Sequence, residues 1–351
     1  MSSLPAVCVI MAGGAGTRFW PLSTDSKPKQ FLNLVGDRTF LQYSYERART
    51  LCSAEQILVF THADYRSYVV EQLPEIPLTN IFCEPERRDT AAAIAWSSLV
   101  CHQRFGPCVV VTLTSDHWIE PLSEFALALR EFYQGASCCD GLYTMGISPS
   151  WPSTGYGYLE LGQQFEKVGE LDHFQLLRFR EKPNRETAEE FIESGRFLWN
   201  SGMFAWKSSV ILEQFEQHLP RHLEILRPVC DSSGNDLVEA FSQLQKISID
   251  FAILEKAPDV RTLRPRFQWS DLGGWQALTD FLAEQEGNRH RGNLFSFDSR
   301  ENLVFCDDPN DQVALIGVSG LTVVRMGRKT LVVPSARAED IKAFLQRFPE
   351  L

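Results

Sequence analysis

Gly13, Gly14 and Gly16 are followed within one short segment, Ala6 to Gln30 (AVCVIMAGGAGTRFWPLSTDSKPKQ), by the cations Arg18, Lys27 and Lys29. Glycine permits positive φ and puts no side chain in the way, so consecutive backbone N–H groups can close around a phosphate. Pro21 and Pro28 make the segment a poor helix and a well-fixed loop, which would hold the cations at defined places over the glycine turn. Glycines and cations so arranged predict a nucleoside triphosphate site. The P-loop reading fails, because no glycine is followed at the required spacing by Gly-Lys. A dinucleotide fingerprint is weakened, because Phe19 stands where the third glycine of G-x-G-x-x-G should let helix and strand approach.

Two acids could complete such a site. Asp116 lies just past the apolar run Val109 to Leu113, where an open α/β sheet places ligand-binding groups; it could equally cap the following helix or pair with His117. Asp271 sits in the turn Trp269-Ser270-Asp271-Leu272-Gly273-Gly274-Trp275, where a turn aspartate is also common. Mg²⁺ needs only one or two carboxylates besides phosphate and water oxygens, so the pair would suffice if the fold brings it together. Glu84 to Ala91 (EPERRDTA) falls between a strand end and a helix start, where its groups can reach a base edge and Asp89 can cap the helix. Glu181-Lys182 pairs opposite charges at a strand end, and Trp199 to Phe204 reads as a tight polar turn carrying Asn200, fixed groups of the kind a sugar's hydroxyls need. Taken alone, Glu181 with Lys182 is as well explained by a surface ion pair. His218 and His222 have a metal-ligand spacing, but Pro220 between them breaks the helix that would align them.

The elements that must position these groups alternate. Ala6 to Met11 reads as a buried parallel strand, followed by a helix from Thr39, strand Gln56 to Phe60, a helix near Asp64 to Gln72, strand Asn80 to Cys83, helix Thr90 to Arg104, and strand Val109 to Leu113. This order predicts an α/β fold with a doubly wound, mostly parallel, Rossmann-like sheet. Shorter strands follow (Gly141 to Ile147, Gly157 to Leu161, Phe174 to Phe179), with a helix Arg185 to Ser194 capped by Asn184. A polar, glycine-containing stretch at Gln285 to Asn293 marks a boundary between a catalytic domain, 1–285, and a small β-rich C-terminal domain, 286–351. The tail is a marginal core by itself, which predicts docking on the large domain or on a second copy in a homodimer.

The chain has 351 residues, 44% of them apolar, which is ample for a core. A formal net charge of −11 excludes the large basic face of a nucleic-acid or anionic-membrane binder. Nine cysteines, an odd number without a C-x-x-C pair, read as reduced core residues of a cytoplasmic protein.

The run G-G-x-G-T-R-x-x-P-L-S followed by K-P-K-Q resembles that of sugar-nucleotide pyrophosphorylases position by position. With Arg87 to Ala91, Thr114 to His117, Gly155 to Tyr158, Glu181 to Pro183, Trp199 to Gly202, Ser248 to Lys256 and Trp269 to Gly273, the chain resembles the mannose-1-phosphate guanylyltransferase family over nearly its whole length. The resemblance implies a nucleotidyltransferase fold with a small β-helix-like C-terminal domain, GTP and mannose 1-phosphate as substrates, and Mg²⁺ as cofactor. It implies that Arg18 and Lys29 are catalytic and contact the triphosphate. It further assigns Ala12, Gly13, Gly14, Gly16, Thr17, Glu84, Arg88, Asp89 and Thr90 to the nucleotide, Tyr156, Gly157, Glu181, Lys182 and Asn200 to the sugar, and Asp116 and Asp271 to the metal. One departure is Asp89-Thr90-Ala91-Ala92-Ala93, where the family often shows Asn-Thr-Ala-Pro-Ala. Rival expectations are the same fold acting on a heptose, glucose or fucose 1-phosphate or another nucleotide, a non-catalytic sugar-nucleotide sensor, and an NAD-dependent oxidoreductase. Arg18 and Lys29, in a loop rich in glycine and proline, are expected to matter for turnover far more than for stability.

Overall fold

The computed structural model describes residues 4–14, 16–165, 169–232, 234–348 and 350–351. The chain divides into two compact units, one of Met1–Gly13, Ser44–Ser115 and Ile119–Trp269, the other of Gly14–Tyr43, Asp116–Trp118 and Ser270–Leu351.

The first unit is built on β1 (Ala6–Ala12), β2 (Ile57–His62), β3 (Ile81–Glu84), β4 (Val109–Thr114), most of β5 (Trp118–Glu120), β6 (Leu142–Ile147), β7 (Gly157–Gln164), β8 (Asp172–Glu181), β9 (Phe197–Lys207) and β10 (Val260–Arg264). All but β5 form one sheet in the order β3-β2-β1-β4-β9-β6-β10-β8-β7. β1 runs parallel to β2 and β4, and β2 parallel to β3. Having a strand on each side and helices over its faces, β1 must be apolar throughout rather than alternating, and Val7 to Ile10 are fully buried. Beyond β4 the sheet turns mixed, because β9 enters antiparallel to both β4 and β6.

Helix α1 is Phe40–Arg49, α2 is Arg66–Gln72 and α3 is Asp89–Phe105. Small residues let α3 approach the sheet closely: Ala91, Ala92 and Ala95 have no exposure. Trp96 on the same helix stacks edge-on to Phe60 and Phe82, and its indole N–H donates to the Cys230 carbonyl at 2.9 Å, so the buried ring leaves no polar atom unpaired. Helix α4 is Leu122–Cys138 and α5 is Arg185–Ser194. The expected cap of α5 is in place: Asn184 Oδ1 accepts from Thr187 N at 2.9 Å, and Gly195 closes the far end in the left-handed region. Three helices follow, α6 (Ser208–His218), α7 (Pro220–Leu226) and α8 (Asn235–Ser242).

In the second unit, strands Asn288–Arg291, Leu303–Cys306 and Leu321–Met326 lie parallel in sequence order, flanked by antiparallel Ala283–Gln285 and Lys329–Pro334. Asn293–Phe297 pairs parallel with Gln312–Ile316. Successive parallel strands joined by short turns describe coils of a β-helix. Buried asparagines fix the turn between coils: Asn302 Nδ2 donates to Asn288 Oδ1 at 2.8 Å, and Asn288 Nδ2 to the Ser299 carbonyl at 2.9 Å. The core of this unit joins Leu303, Phe305 and Val324 of those coils to Phe19, Trp20, Leu22, Leu32, Leu34 and Phe40 of the glycine-loop region and to Leu272 and Trp275. The compact unit therefore gathers more chain than the stretch after residue 285.

Candidate active site

The loop of the second unit is held from several sides. Gly16 takes φ +49, and a Cβ there would stand 2.9 Å from the Lys29 backbone nitrogen, so the turn requires glycine. Gln30 Nε2 donates to the Gly14 carbonyl at 2.9 Å, Phe19 N donates to the buried Ser23 hydroxyl at 2.9 Å, and the Trp275 indole N–H donates to the Trp20 carbonyl at 3.2 Å. The Pro-Leu-Ser and Lys-Pro-Lys-Gln portions of the sequence pattern thus brace the loop as well as carrying charge. The Thr17 side chain lies outside the described residues.

Within this frame the four groups expected to handle phosphate and metal are brought together. Lys29 Nζ lies 3.6 Å from Asp116 Oδ2, donates to the Asp271 carbonyl, and sits 5.3 Å from the centre of the Phe40 ring. Arg18 Nη1 donates to the Gly273 carbonyl at 3.4 Å, and Arg18 and Asp271 both lie against Gly273. Asp116 also has His117 Nε2 at 3.6 Å, so the His117 pairing holds together with the Lys29 contact. Burial pushes the Lys29 ammonium below its ordinary range while Asp116 and Asp271 pull it back. At Asp116 desolvation works against the charge, but Lys29 and His117 more than reverse it and hold the carboxyl below the usual aspartate range. Lys29 is only 5% exposed, which corrects the view of it as a loop side chain remote from any core; Arg18 is exposed. No group of three or more His, Cys, Asp or Glu stands at metal-binding distance among the described residues. Two carboxylates, one of them held ionised, still match the protein share of a Mg²⁺ site whose remaining ligands are phosphate and water.

The first unit carries the remaining residues in two groups. At the end of β3, Glu84 is 6% exposed, and burial raises its carboxyl to about 8, Arg87 opposing only in part. A Cβ at Gly13 would come within 2.8 Å of Glu84 Oε2, so glycine there lets the Glu84 carboxyl lie against the backbone without shifting. Ala12 ends β1, its carbonyl accepting from Thr61 Oγ1 at 3.0 Å. Arg88 Nη2 donates to Glu86 and to the Ser242 carbonyl, both at 2.8 Å, while its buried Nε has no partner among the described residues. Asp89 takes φ 67 and accepts from Thr90 N at 2.7 Å, so it satisfies the helix start from within the first turn rather than from the cap position. The Thr90 hydroxyl accepts from Ile249 N at 2.8 Å, tying α3 to the segment that carries Asp250.

In the second group, Gly157 and Glu181 are register partners of β7 and β8. Lys182 Nζ lies 2.7 Å from Glu181 Oε1, and Lys182 itself holds φ 44, a left-handed backbone that a lysine adopts only when its surroundings enforce it. Tyr156 packs against Trp151, Trp199 and Trp269 at 5.9, 5.0 and 5.4 Å between ring centres. Asn200 lies inside the long strand β9 and not in a tight turn; the register slips between Thr144 and Gly146 where β6 meets it, and Gly202 at φ 71 bends the strand locally. His222, set aside as a ligand, is a buried residue whose Nε2 meets the Gln245 carbonyl at 3.2 Å, and Pro220 starts a separate helix as expected. The sequence reading did not single out Asp250 or the Trp151, Trp199 and Trp269 rings. Asp250 lies in the quoted block Ser248 to Lys256, but its apolar neighbours look like an ordinary buried helix.

A nucleotidyl transferase family model matches residues 7–287, and a mannose-phosphate isomerase/GMP-like β-helix model matches residues 292–348. Mannose-1-phosphate guanylyltransferase 2 of Escherichia coli O157:H7 is 36% identical over 99% of this chain and 74% of its own length. A mannose-1-phosphate guanylyltransferase of Sinorhizobium fredii is 34% identical over 96% of this chain and 67% of its own. A Thermus thermophilus crystal structure described as a mannose-1-phosphate geranyltransferase superposes with a TM-score of 0.87 at 30% identity, covering 99% of this chain and 100% of that one.

Proposed function

This chain belongs to the mannose-1-phosphate guanylyltransferase family and is a nucleotidyltransferase, and from that premise we propose that it makes GDP-mannose and pyrophosphate from GTP and mannose 1-phosphate with Mg²⁺. The observation that carries the proposal is the cluster of Arg18, Lys29, Asp116 and Asp271, gathered from three separate stretches of sequence around one buried ammonium. A sensor that only bound the product would have no need to bury a lysine against two aspartate residues.

The sugar phosphate attacks the α-phosphorus of the triphosphate in line, and pyrophosphate leaves. Both reactants are anions, so the barrier is largely charge repulsion and misorientation. Arg18 and Lys29 offset charge that develops on the phosphate oxygens, and Lys29, fixed by Asp116 and the Asp271 carbonyl, does so without reorganising. The backbone of Gly13, Gly14 and Gly16 offers N–H groups to the phosphates. Mg²⁺, when held by Asp116 and Asp271, adds charge neutralisation at those oxygens. Glu84, Arg88, Asp89 and Thr90 are assigned to the base, and Tyr156, Gly157, Glu181, Lys182 and Asn200 to the sugar. Pyrophosphate release measured over GTP, ATP and UTP crossed with mannose, glucose, fucose and heptose 1-phosphates tests the assignment. The pair GTP and mannose 1-phosphate should give the highest kcat/KM, and a clear preference for another pair would overturn it.

A further inference from the structure

Asn200 and Asp250 are linked in a way that fixes both. Gly202 N donates to Asn200 Oδ1 at 3.3 Å, and because a backbone N–H can only face an oxygen, this contact sets the amide orientation. Thr144 Oγ1 reaches the same oxygen at 3.0 Å. The amide nitrogen then points at Asp250, with Nδ2 donating to Oδ1 at 3.1 Å. Among the described residues one amide hydrogen of Asn200 has no acceptor and is left to offer. Asp250 opens a π-helical turn, Asp250–Leu254, a rare geometry that recurs at functional sites because it re-aims the side chains of one turn. Its carboxylate accepts from Asn200, with Ser248 and its own backbone N–H also favouring the charged form, and among the described residues lone pairs of its four stay unused. Both residues remain partly open to solvent, so a ligand can reach them.

A donor and an acceptor held side by side are what one hydroxyl group satisfies: its oxygen accepts from Asn200 and its hydrogen goes to Asp250. We propose that Asp250 is a specificity-determining residue of the sugar site, orienting Asn200 and together with it reading a single sugar hydroxyl. The inference rests on the assignment of Asn200 to the sugar. Supporting it, the carboxyl is pushed up to about 6 by burial and then by the neighbouring Glu181, with Ser248 and Lys182 opposing. An acid kept at such a cost to the fold, when an amide of the same shape would fill the space, points to a use other than packing.

Asp250→Asn keeps the shape and replaces the free acceptor by a donor. Its effect is read on kcat/KM for the parent hexose 1-phosphate and for its 2-, 3-, 4- and 6-deoxy analogues, with the KM for the nucleotide and the melting temperature measured alongside. The preference for the parent over one of the analogues should shrink by about ten-fold or more, the scale of a hydrogen bond to a charged group. Preferences over the other analogues and the nucleotide KM should hold, and the melting temperature should hold or rise, since the variant no longer buries a carboxylate. Equal losses for parent and all analogues, or a fall in melting temperature with every preference intact, would overturn the inference and leave Asp250 a structural residue. Asp250→Ser, which removes the acceptor without adding an amide, repeats the test if the asparagine variant folds poorly. Where the wild type prefers a sugar other than mannose, the reading of the substrate fails, and the inference is scored on that sugar's own deoxy set. Should no sugar turn over, quenching of Trp199 and its neighbours by hexose 1-phosphates gives the same ratios as binding constants.

Discussion

Asp116, assigned to the metal, and the carboxyls assigned to the base and the sugar are held in opposite ways. In the second unit Asp116 has Lys29 and His117 beside it and stays below the usual aspartate range. In the first, Glu84 and Asp250 have cations too weakly placed to offset burial, and they rise to about 8 and about 6. The difference follows the ligands proposed for each unit. Phosphate and metal need fixed charge of both signs, whereas hydroxyl and base edges need acceptors whose charge is modest and whose direction is set. The same side-chain type does both jobs because neighbours decide its ionisation.

The largest effect on this contrast should come from removing its cation. Lys29→Ala should lower kcat/KM by about 10³-fold, the scale found when a preorganised charge at a transition state is lost. Because Lys29 is buried beside Asp116, melting temperature should fall as well, unlike in Arg18→Ala, where the side chain is exposed and the loss should fall on turnover alone. Near-normal turnover in a folded Lys29→Ala would remove the glycine loop from the mechanism.

Next in size are the acids of the same unit. Asp271→Asn should leave the fold intact, since turns tolerate asparagine, and raise the Mg²⁺ concentration for half-maximal rate by about ten-fold or more. Asp116→Asn should act alike, and the double variant should cost much less than the two single losses combined, because either change already disables one shared site. Lowered melting temperatures with an unchanged Mg²⁺ requirement would make both residues structural.

The parts of this arrangement legible in the sequence were those with a short-range cause. The apolar run of β1, the glycine turn, the Asn184 cap and the break at Pro220 each follow from neighbours in the chain. What pattern reading missed depends on distant partners. Asn200 looks like a turn residue because Gly202 and Ser201 follow it, yet pairing with β6 draws it into β9. The core that joins Phe19 and Trp20 to Phe305 and Val324 has no local periodicity that could announce it. Lys29 looks like a loop lysine until Phe40 and Asp271 close around it. The candidate site residues were chosen by their types and spacing, which carry no sign of their burial, and burial is what sets their charge.

The smallest expected effect sharpens the contrast from the first unit's side. The Glu84 carboxyl moves from about 4.3 in the unfolded chain to about 8 in the fold. Between those values the folded state binds more protons than the unfolded one, so its stability must fall as pH rises. Whatever stability protonated Glu84 contributes is fully present below about pH 4.3 and lost by about pH 8, a change on the order of a few kcal/mol at most. Glu84→Gln keeps the shape and cannot ionise, so this slope should vanish. The variant should therefore match the wild type near pH 5 and melt several degrees higher near pH 8, by about the shift that such a change produces in a chain of this length. Calorimetric scans of both proteins from pH 5 to 9 measure the gap directly. A gap that stays constant with pH would mean that Arg87 holds the carboxylate charged after all, and the contrast between the two units would reduce to Asp250 alone.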